Sequence, residues 1–213
     1  MIYIYDELEK MKYENYLYIK AIIEKYNKNI IKEHIKYNDR LCNVLSLFLL
    51  LVYLYDNKII EEIYTYNVDD NNKPKIKNIK FNISHCSKAV AVAIDKEENL
   101  GIDIEEKIIN YKELREYVLS DKELKIKNMN EKKFRKLWTL KECFAKYDGS
   151  GLRINPKDID FSEYLKKDIF EKNNLKFMCY EKKEYTLSVC CKKNIINKYV
   201  TNEEIEKYIN ILK

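Results

Sequence analysis

The spacing of apolar and polar positions divides the chain into extended and helical stretches. Strands are predicted where the two kinds of residue alternate between turn residues, at 2–5, 76–83, 89–95, 100–105, 175–180 and 185–191. Helices are predicted at 9–27, 39–55 and 131–147, and in the last of these apolar residues recur at three- and four-residue steps. Capping boxes that begin at Ser120 and Thr201 open two further helices. We therefore expect a fold that mixes helices and strands.

Two of the predicted hairpins resemble each other. Residues 79–81, Ile-Lys-Phe, match residues 175–177, Leu-Lys-Phe, and each triplet is followed by a turn and an alternating strand. This similarity indicates a weak internal repeat. We place the boundary near Glu98, which gives an N-terminal half of 1–98 and a C-terminal half of 99–213. No linker rich in Pro or Gly marks the boundary, so we expect the halves to pack tightly.

Composition narrows the class of protein. Of 213 residues 46% are hydrophobic, which is enough for a core, and 40 basic against 35 acidic residues leave a net charge of +5. With no long basic run, this charge argues against a nucleic-acid binder and is compatible with an anionic cofactor and an acidic partner. The apolar run 44–55 is shorter than the roughly 20 residues that cross a bilayer, and no secretory signal is visible. We expect a cytoplasmic protein bound to neither nucleic acid nor membrane.

The cysteines do not indicate a metal or redox site. The six cysteines form no Cys-x-x-Cys pair, and the chain has only 2 His, so there is no basis for a zinc site. We expect reduced, mostly buried thiols. Cys143 is expected to pack within its helix rather than to act as a nucleophile.

Acidic residues share one face of the strand predicted at 100–105. Asp103 and Glu105 are two positions apart, so both point the same way and lie about 7 Å apart along the strand, while Ile102 and Ile104 fill the other face. Two like charges so close repel each other unless a hard divalent cation binds them. Mg²⁺ keeps several waters and binds one or two carboxylates together with substrate phosphates. The strand therefore suggests a Mg²⁺ and phosphate site.

The helix predicted at 131–147 adds an acid and a base. Trp138, Glu142 and Lys146 are each four residues apart and form one stripe, with Lys141 alongside. Glu142 is a candidate third metal ligand, and Lys146 is a fixed positive charge for a phosphate oxygen. Taken singly, however, each motif is more often a solvated, charged surface.

Taken in order, the motifs resemble those of a known family. Gly-Ile-Asp-Ile-Glu at 101–105, followed by Trp-x-x-Lys-Glu-x-x-x-Lys at 138–146, resembles the signature of the 4′-phosphopantetheinyl transferases, specifically the Sfp-like group. Upstream, residues 81–86 resemble the family's Phe-Asn-Ile-Ser-His-Ser, and Lys73-Pro74 resembles its Gly-Lys-Pro. Asn72 stands where the family usually has Gly, and Cys86 where it has the second Ser.

The resemblance implies a fold and a reaction. The fold would be α+β, with two similar α/β halves related by a pseudo-twofold axis, each a small antiparallel sheet packed with helices, and the active site between them. The reaction would transfer the 4′-phosphopantetheine arm of coenzyme A to a Ser of an acyl or peptidyl carrier protein. Adenosine 3′,5′-bisphosphate would be released, and Mg²⁺, or Mn²⁺, would be required. Because the nucleophile belongs to the partner, no catalytic triad is needed.

The resemblance also implies roles for individual residues. Asp103, Glu105 and Glu142 would hold the metal. Glu142, Lys141 or a metal-bound water would accept the proton of the attacking Ser. The remaining candidates would bind the phosphates and nucleotide of coenzyme A: Lys146, His85, Ser84 and Lys73, with Lys32 and Arg40 as candidates for the 3′-phosphate that are more simply surface residues.

Two other classes of protein remain open. A Mg²⁺-dependent nuclease or pyrophosphatase would use similar acids to activate water. A non-catalytic module that binds a carrier protein or nucleic acid would lack turnover altogether. Since a duplicated chain can complete its own site between its halves, we expect a monomer.

Overall fold

The computed structural model describes residues 1–28, 30–31, 36–69, 73–149 and 154–213 of the chain. The chain divides into two compact units. The first unit contains Met1–Ile83, Ser87–Glu97 and Ile196–Lys213, and the second contains Ser84–Cys86 and Glu98–Ile195. Each unit has its own sheet, helices and hydrophobic core.

The first unit is built on a four-stranded sheet. Its described strands follow the order β10-β1-β5-β4, with β1 at Ile2–Tyr5, β4 at Lys80–His85, β5 at Val90–Asp95 and β10 at Asn197–Tyr199. β1 runs antiparallel to β5 and parallel to β10. A short hairpin pairs β2, Asn67–Val68, with β3, Pro74–Lys75.

Three long helices complete the first unit. They are α1 at Tyr13–Tyr26, α2 at Tyr37–Asp56 and α6 at Asn202–Leu212, with 3₁₀ helices at Leu8–Lys10 and Ile60–Thr65. α2 packs on β5, and α1 packs on both α2 and α6. By length and composition α2 could cross a membrane, but 72% of its apolar window is buried inside the protein. This burial agrees with the prediction of a core helix at 39–55.

The second unit is an antiparallel sheet covered by helix α5. Its strands follow the order β6-β9-β8-β7, with β6 at Leu100–Glu106, β7 at Ile169–Lys172, β8 at Leu175–Glu181 and β9 at Tyr185–Cys191. Helices α3, α4 and α5 span Tyr111–Val118, Asp121–Leu124 and Glu131–Asp148, and 3₁₀ helices lie at Pro156–Asp158 and Ser162–Tyr164. α5 packs on β6 and β9, and Gly149 ends it in the left-handed conformation.

The two units share a strand order. In the first unit β5 lies between β1 and β4, and in the second β9 lies between β6 and β8. In both, one strand is followed by helices and then by two consecutive strands that pair with each other. This common topology agrees with the repeat inferred from residues 79–81 and 175–177. The α+β class is confirmed.

Several details differ from the sequence-based expectations. α1 begins at Tyr13 rather than at residue 9, because a separate 3₁₀ turn occupies Leu8–Lys10. The first sheet is mixed rather than antiparallel, because β10 joins β1 in parallel. The compact units share the expected boundary near Glu98 but assign 196–213 to the first unit and 84–86 to the second. Domains at 1–98 and 99–213 stay a prediction.

Candidate active site

One face of β6 carries Gly101, Asp103 and Glu105, and each of these residues contacts α5. Gly101 lies under the backbone of Cys143 and Tyr147, Asp103 binds Lys146, and Glu105 binds Trp138. On the other face Ile102 and Ile104 are buried. The strand and the helix therefore bring together the two motifs that the sequence analysis singled out.

Gly101 permits the close approach of β6 and α5. A Cβ atom at this position would overlap the carbonyl oxygen of Cys143 and lie 2.7 Å from the backbone nitrogen of Tyr147. Backbone atoms of a helix cannot move aside as the end of a side chain can. Only glycine therefore allows this spacing, which sets how near the acids of β6 lie to the side chains of α5.

Asp103 is buried, with 3% of its surface exposed, and one of its oxygens is fully engaged. The ammonium group of Lys146 donates to Oδ1 at 2.7 Å and to Ser84 Oγ at 3.1 Å. Ser84 Oγ in turn donates to Asp103 Oδ1 at 3.0 Å and accepts from the Ile104 amide at 3.2 Å. Ser84, which belongs to the second unit, thus orients the acidic face of β6.

The other oxygen of Asp103 has no hydrogen-bond partner in the part of the chain that the structure describes. Oδ2 is buried and is among the few buried side-chain oxygens of the described residues that lack a hydrogen bond. Burying an acceptor without a donor is unfavourable, so such a group calls for a ligand or an ion. This atom marks the point at which the site is incomplete.

Three carboxylates influence one another at this site. Burial, and then the charge of Asp103, raises the pKa of Glu105 to about 7. Burial and the charge of Asp103 likewise raise the pKa of Glu142, while Lys146 opposes the increase. Glu142 therefore lies close enough to Asp103 for their charges to interact, as the helical stripe predicts.

Trp138 holds Glu105 directly. Its indole Nε1 donates to Glu105 Oε1 at 3.2 Å, and its ring packs on that of Phe134 with centroids 6.1 Å apart. The helical spacing predicts that Trp138 lies on the same stripe as Glu142 and Lys146, but no role was predicted for it. The indole N–H can only donate a hydrogen bond, and carboxylates accept hydrogen bonds. A Trp on the same stripe as candidate metal-binding acids could therefore have indicated this contact.

Lys141 lies in a buried ion pair with Glu123 rather than among the acids of β6, and its role as a catalytic base stays a prediction. The side chains of Lys141 and Glu123 are 2% and 0% exposed, and they form an ion pair at 2.6 Å. Lys141 also donates to the carbonyl oxygens of Pro156 at 2.8 Å and Ile159 at 2.5 Å. Adjacent helix residues differ by about 100° in direction, so Lys141 points away from the face that carries Glu142.

Glu123 is a structural residue that the sequence analysis recognised only as a helix cap. Besides binding Lys141, its carboxylate accepts from the backbone amides of Ser120 at 2.9 Å and Phe161 at 2.8 Å. The capping box at Ser120 forms as predicted. The buried pair ties α4, α5 and the segment before β7 together within the second unit.

The remaining candidates are described unit by unit. His85 is exposed at the end of β4, next to Ser84. Lys73 and Arg40 lie in the first unit: the amide of Lys73 donates to Asp69 Oδ1 at 2.9 Å, and Arg40 is exposed in the first turn of α2. Lys32 lies outside the described residues. Roles for these four residues in binding coenzyme A stay predictions.

The described residues do not form a complete set of metal ligands. Among the described residues, no group of three or more His, Cys, Asp or Glu side chains is arranged to hold a metal ion. The donors nevertheless fit a hard divalent cation in their chemistry, since Asp103 and Glu105 are carboxylates on one face of β6 and Asp103 Oδ2 is buried without a hydrogen-bond partner among the described residues. The predicted Mg²⁺ site at these acids stays a prediction.

One comparison with known families concerns this region. Residues 99–190 match the family model of the 4′-phosphopantetheinyl transferase superfamily, so this stretch is similar to members of that superfamily. The matched region includes β6 and α5 and therefore the whole facing pair of motifs. Ser84, His85 and Lys73 lie outside it. None of the curated proteins matches the chain.

Proposed function

We propose that the protein is an Sfp-like 4′-phosphopantetheinyl transferase that moves the phosphopantetheine arm of coenzyme A to a Ser of an acyl or peptidyl carrier protein. Support for the reaction comes from the superfamily match over residues 99–190. Support for the Sfp-like group comes from the motifs at 73–74 and 81–86, which lie before the matched region.

A single observation carries the proposal: the acids of β6 face the Trp138, Glu142 and Lys146 stripe of α5. The charge of Asp103 acts on both Glu105 and Glu142. Lys146 binds one oxygen of Asp103, and the other oxygen has no hydrogen-bond partner among the described residues. Two strings of sequence separated by more than thirty residues would not converge in this way if they were independent surface features.

Glu142 is the proposed acceptor of the proton that leaves the attacking Ser. Its carboxylate is half-buried, its charge interacts with that of Asp103, and a carboxylate can act as a general base. Lys141, the other side chain considered for this step, is buried in its pair with Glu123. Glu142 is therefore the base favoured among the side chains of α5.

Lys146 is the proposed ligand of a phosphate oxygen. Its side chain is 29% exposed, so a diphosphate can reach the ammonium group that now binds Asp103 and Ser84. Ser84 and His85, at the end of β4, would bind further phosphate oxygens, as the family pattern implies. Lys73, Lys32 and Arg40 remain proposals for the nucleotide end of coenzyme A.

Asp103, Glu105 and Glu142 would hold Mg²⁺, or Mn²⁺ in its place. A bound divalent cation would supply positive charge that stabilises the negative charge developing on the diphosphate. The residues themselves fix the donor oxygens: Ser84 and Lys146 orient Asp103, and Trp138 orients Glu105. A cytoplasmic location, a monomeric state and the absence of nucleic-acid or membrane partners stay predictions.

The proposed function is tested by the intact mass of a carrier protein. Purified protein is incubated with Mg²⁺, coenzyme A and an apo carrier protein, and we expect a gain equal to one phosphopantetheinyl group. Glu142→Gln should abolish this gain or reduce its rate at least a hundredfold. Asp148→Asn, which removes an exposed carboxylate from the same helix, is the matched control and should keep full activity.

Two results would contradict the proposal. One is the absence of any mass gain across acyl and peptidyl carrier proteins with Mg²⁺ or Mn²⁺. The other is release of inorganic phosphate from pyrophosphate, or cleavage of DNA, without use of coenzyme A, which would indicate a hydrolase.

A further inference from the structure

Trp138 forms a specific polar contact as well as filling space. The indole Nε1 lies 3.2 Å from Glu105 Oε1, and the residue is half-buried at the edge of the second unit's core. Within the described part of the chain, no other side chain donates a hydrogen bond to Glu105. One oxygen of Glu105 is thus held by the indole, which leaves the second oxygen for another ligand.

The donor is itself held in place. The Trp138 ring packs on Phe134, one turn earlier on α5, and Phe134 packs on Tyr111 of α3 with ring centroids 5.9 Å apart. Phe134 is completely buried. The indole therefore has a rigid support on its apolar side and a single polar contact on the other, an arrangement suited to orienting a ligand-bearing carboxylate.

We propose that Trp138 is a positioning residue that fixes Glu105 for binding a divalent cation at the β6 and α5 face. The inference rests on the proposed function for the identity of the cation site. Its own claim is that the affinity for the cation depends on the indole N–H, and that this dependence acts through Glu105. Residues that orient metal ligands typically contribute about 10- to 100-fold to metal affinity.

The composition of the chain makes the contact unusually accessible to experiment. Trp138 is the only tryptophan, so growth of a tryptophan auxotroph on an analogue changes this position alone. Benzothienylalanine keeps the bicyclic ring but has sulfur in place of the N–H group. A fluorotryptophan keeps the N–H group and serves as the matched control.

The test is a double-mutant cycle read as Mn²⁺ affinity, measured by electron paramagnetic resonance of free Mn²⁺. The four proteins are the wild type, Trp138→Phe, Glu105→Gln and the double variant. We expect Trp138→Phe to weaken Mn²⁺ binding about tenfold when Glu105 is present. In the Glu105→Gln background the same substitution should change affinity by less than about twofold.

The benzothienylalanine protein should reproduce the loss seen with Trp138→Phe, and the fluorotryptophan protein should bind Mn²⁺ as the wild type does. Far-UV circular dichroism and thermal unfolding establish that each protein is folded, and the analogue protein replaces any variant that is not. A wild type that does not bind Mn²⁺, or a loss of equal size with and without the Glu105→Gln substitution, would overturn the inference. Failure of the proposed function looks different: the Mn²⁺ cycle would hold while carrier proteins stay unmodified.

Discussion

At the scale of single residues, the site gathers negative charge around one buried aspartate. Lys146 binds one oxygen of Asp103, and the other oxygen has no hydrogen-bond partner among the described residues. The pKa values of Glu105 and Glu142 are raised by burial and by the charge of Asp103. Such a cluster is unfavourable for the folded protein alone and becomes favourable when a cation binds. The repulsion among these carboxylates is therefore expected to lower the free energy of unfolding of the metal-free protein.

The pH dependence of the free energy of unfolding tests this repulsion. The pKa of Glu105 is about 7 in the folded protein and about 4.5 as the reference value, so between these values the folded state binds more protons than the unfolded state. Its contribution to the free energy of unfolding consequently falls as pH rises from about 5 to 7. Without metal, urea unfolding should show Glu105→Gln gaining stability over the wild type across this range, and Mg²⁺ should reduce the gain. A difference independent of pH would contradict the account.

Lys141 illustrates the limit of a helical stripe as a predictor. The stripe correctly placed Glu142 and Lys146 on one face, but the neighbour Lys141 points into the core. Sequence could not reveal its partner, because Glu123 is 18 residues away and the two side chains meet only in the folded second unit. A charged residue beside a catalytic candidate is thus ambiguous until the face is known.

The buried pair gives a prediction that separates structure from catalysis. Lys141→Met should destabilise the protein by about 3–5 kcal/mol, because Glu123 is left as an unpaired buried charge. Lys141→Met with Glu123→Gln removes both charges and should recover part of that stability together with transferase activity. Urea unfolding and the carrier-protein mass assay measure the two quantities. A double variant that is folded but inactive would indicate that Lys141 takes part in catalysis.

At the scale of elements, the packing of α5 on β6 depends on one missing side chain. The two elements approach so closely at Gly101 that a Cβ would enter the space of the Cys143 carbonyl group. Glycine is rare in this chain, with only 3 Gly, and the sequence places one of them in β6. It could not tell a close approach from a turn, whereas Gly149 does adopt a positive φ of 79° at the end of α5.

Alanine substitutions should rank these two glycines. Gly101→Ala forces the strand and helix apart and should cost about 3 kcal/mol or more, at or beyond the usual range for overpacking. Gly149→Ala places a Cβ in the left-handed region and should cost only about 1–2 kcal/mol. Gly101→Ala should also reduce transferase activity in the folded protein, because the acids move away from α5. Equal unfolding midpoints for the two variants would show that the close approach is not rigid.

At the scale of the whole molecule, the C-terminal segment of the chain packs against its N-terminal segment. β10 lies beside β1, and α6 packs on α1, so the last eighteen residues belong to the unit that contains the first. The sequence predicted the terminal helix from its capping box at Thr201, but β10 has only three residues and no apolar alternation. Its position follows from a pairing almost two hundred residues away, which local patterns do not encode.

This closure predicts how fragments behave. Residues 1–98 alone lack β10 and α6 and would expose the apolar surfaces of β1 and α1, so we expect no cooperative unfolding transition from this fragment. Co-expression with residues 99–213 should restore a folded complex. Circular dichroism during thermal unfolding measures both. A stable, cooperatively unfolding 1–98 fragment would contradict the assignment of the C-terminal segment to the first unit.

The central claim is that the facing motifs of β6 and α5 form a phosphopantetheinyl transfer site. The most direct measurement follows one reaction from both sides: the mass of an apo carrier protein and the release of adenosine 3′,5′-bisphosphate from coenzyme A with Mg²⁺. The account predicts equal amounts of the two products with wild type and Asp148→Asn, and neither product with Glu142→Gln. Modified carrier protein formed equally well by Glu142→Gln, or none formed by the wild type, would contradict it.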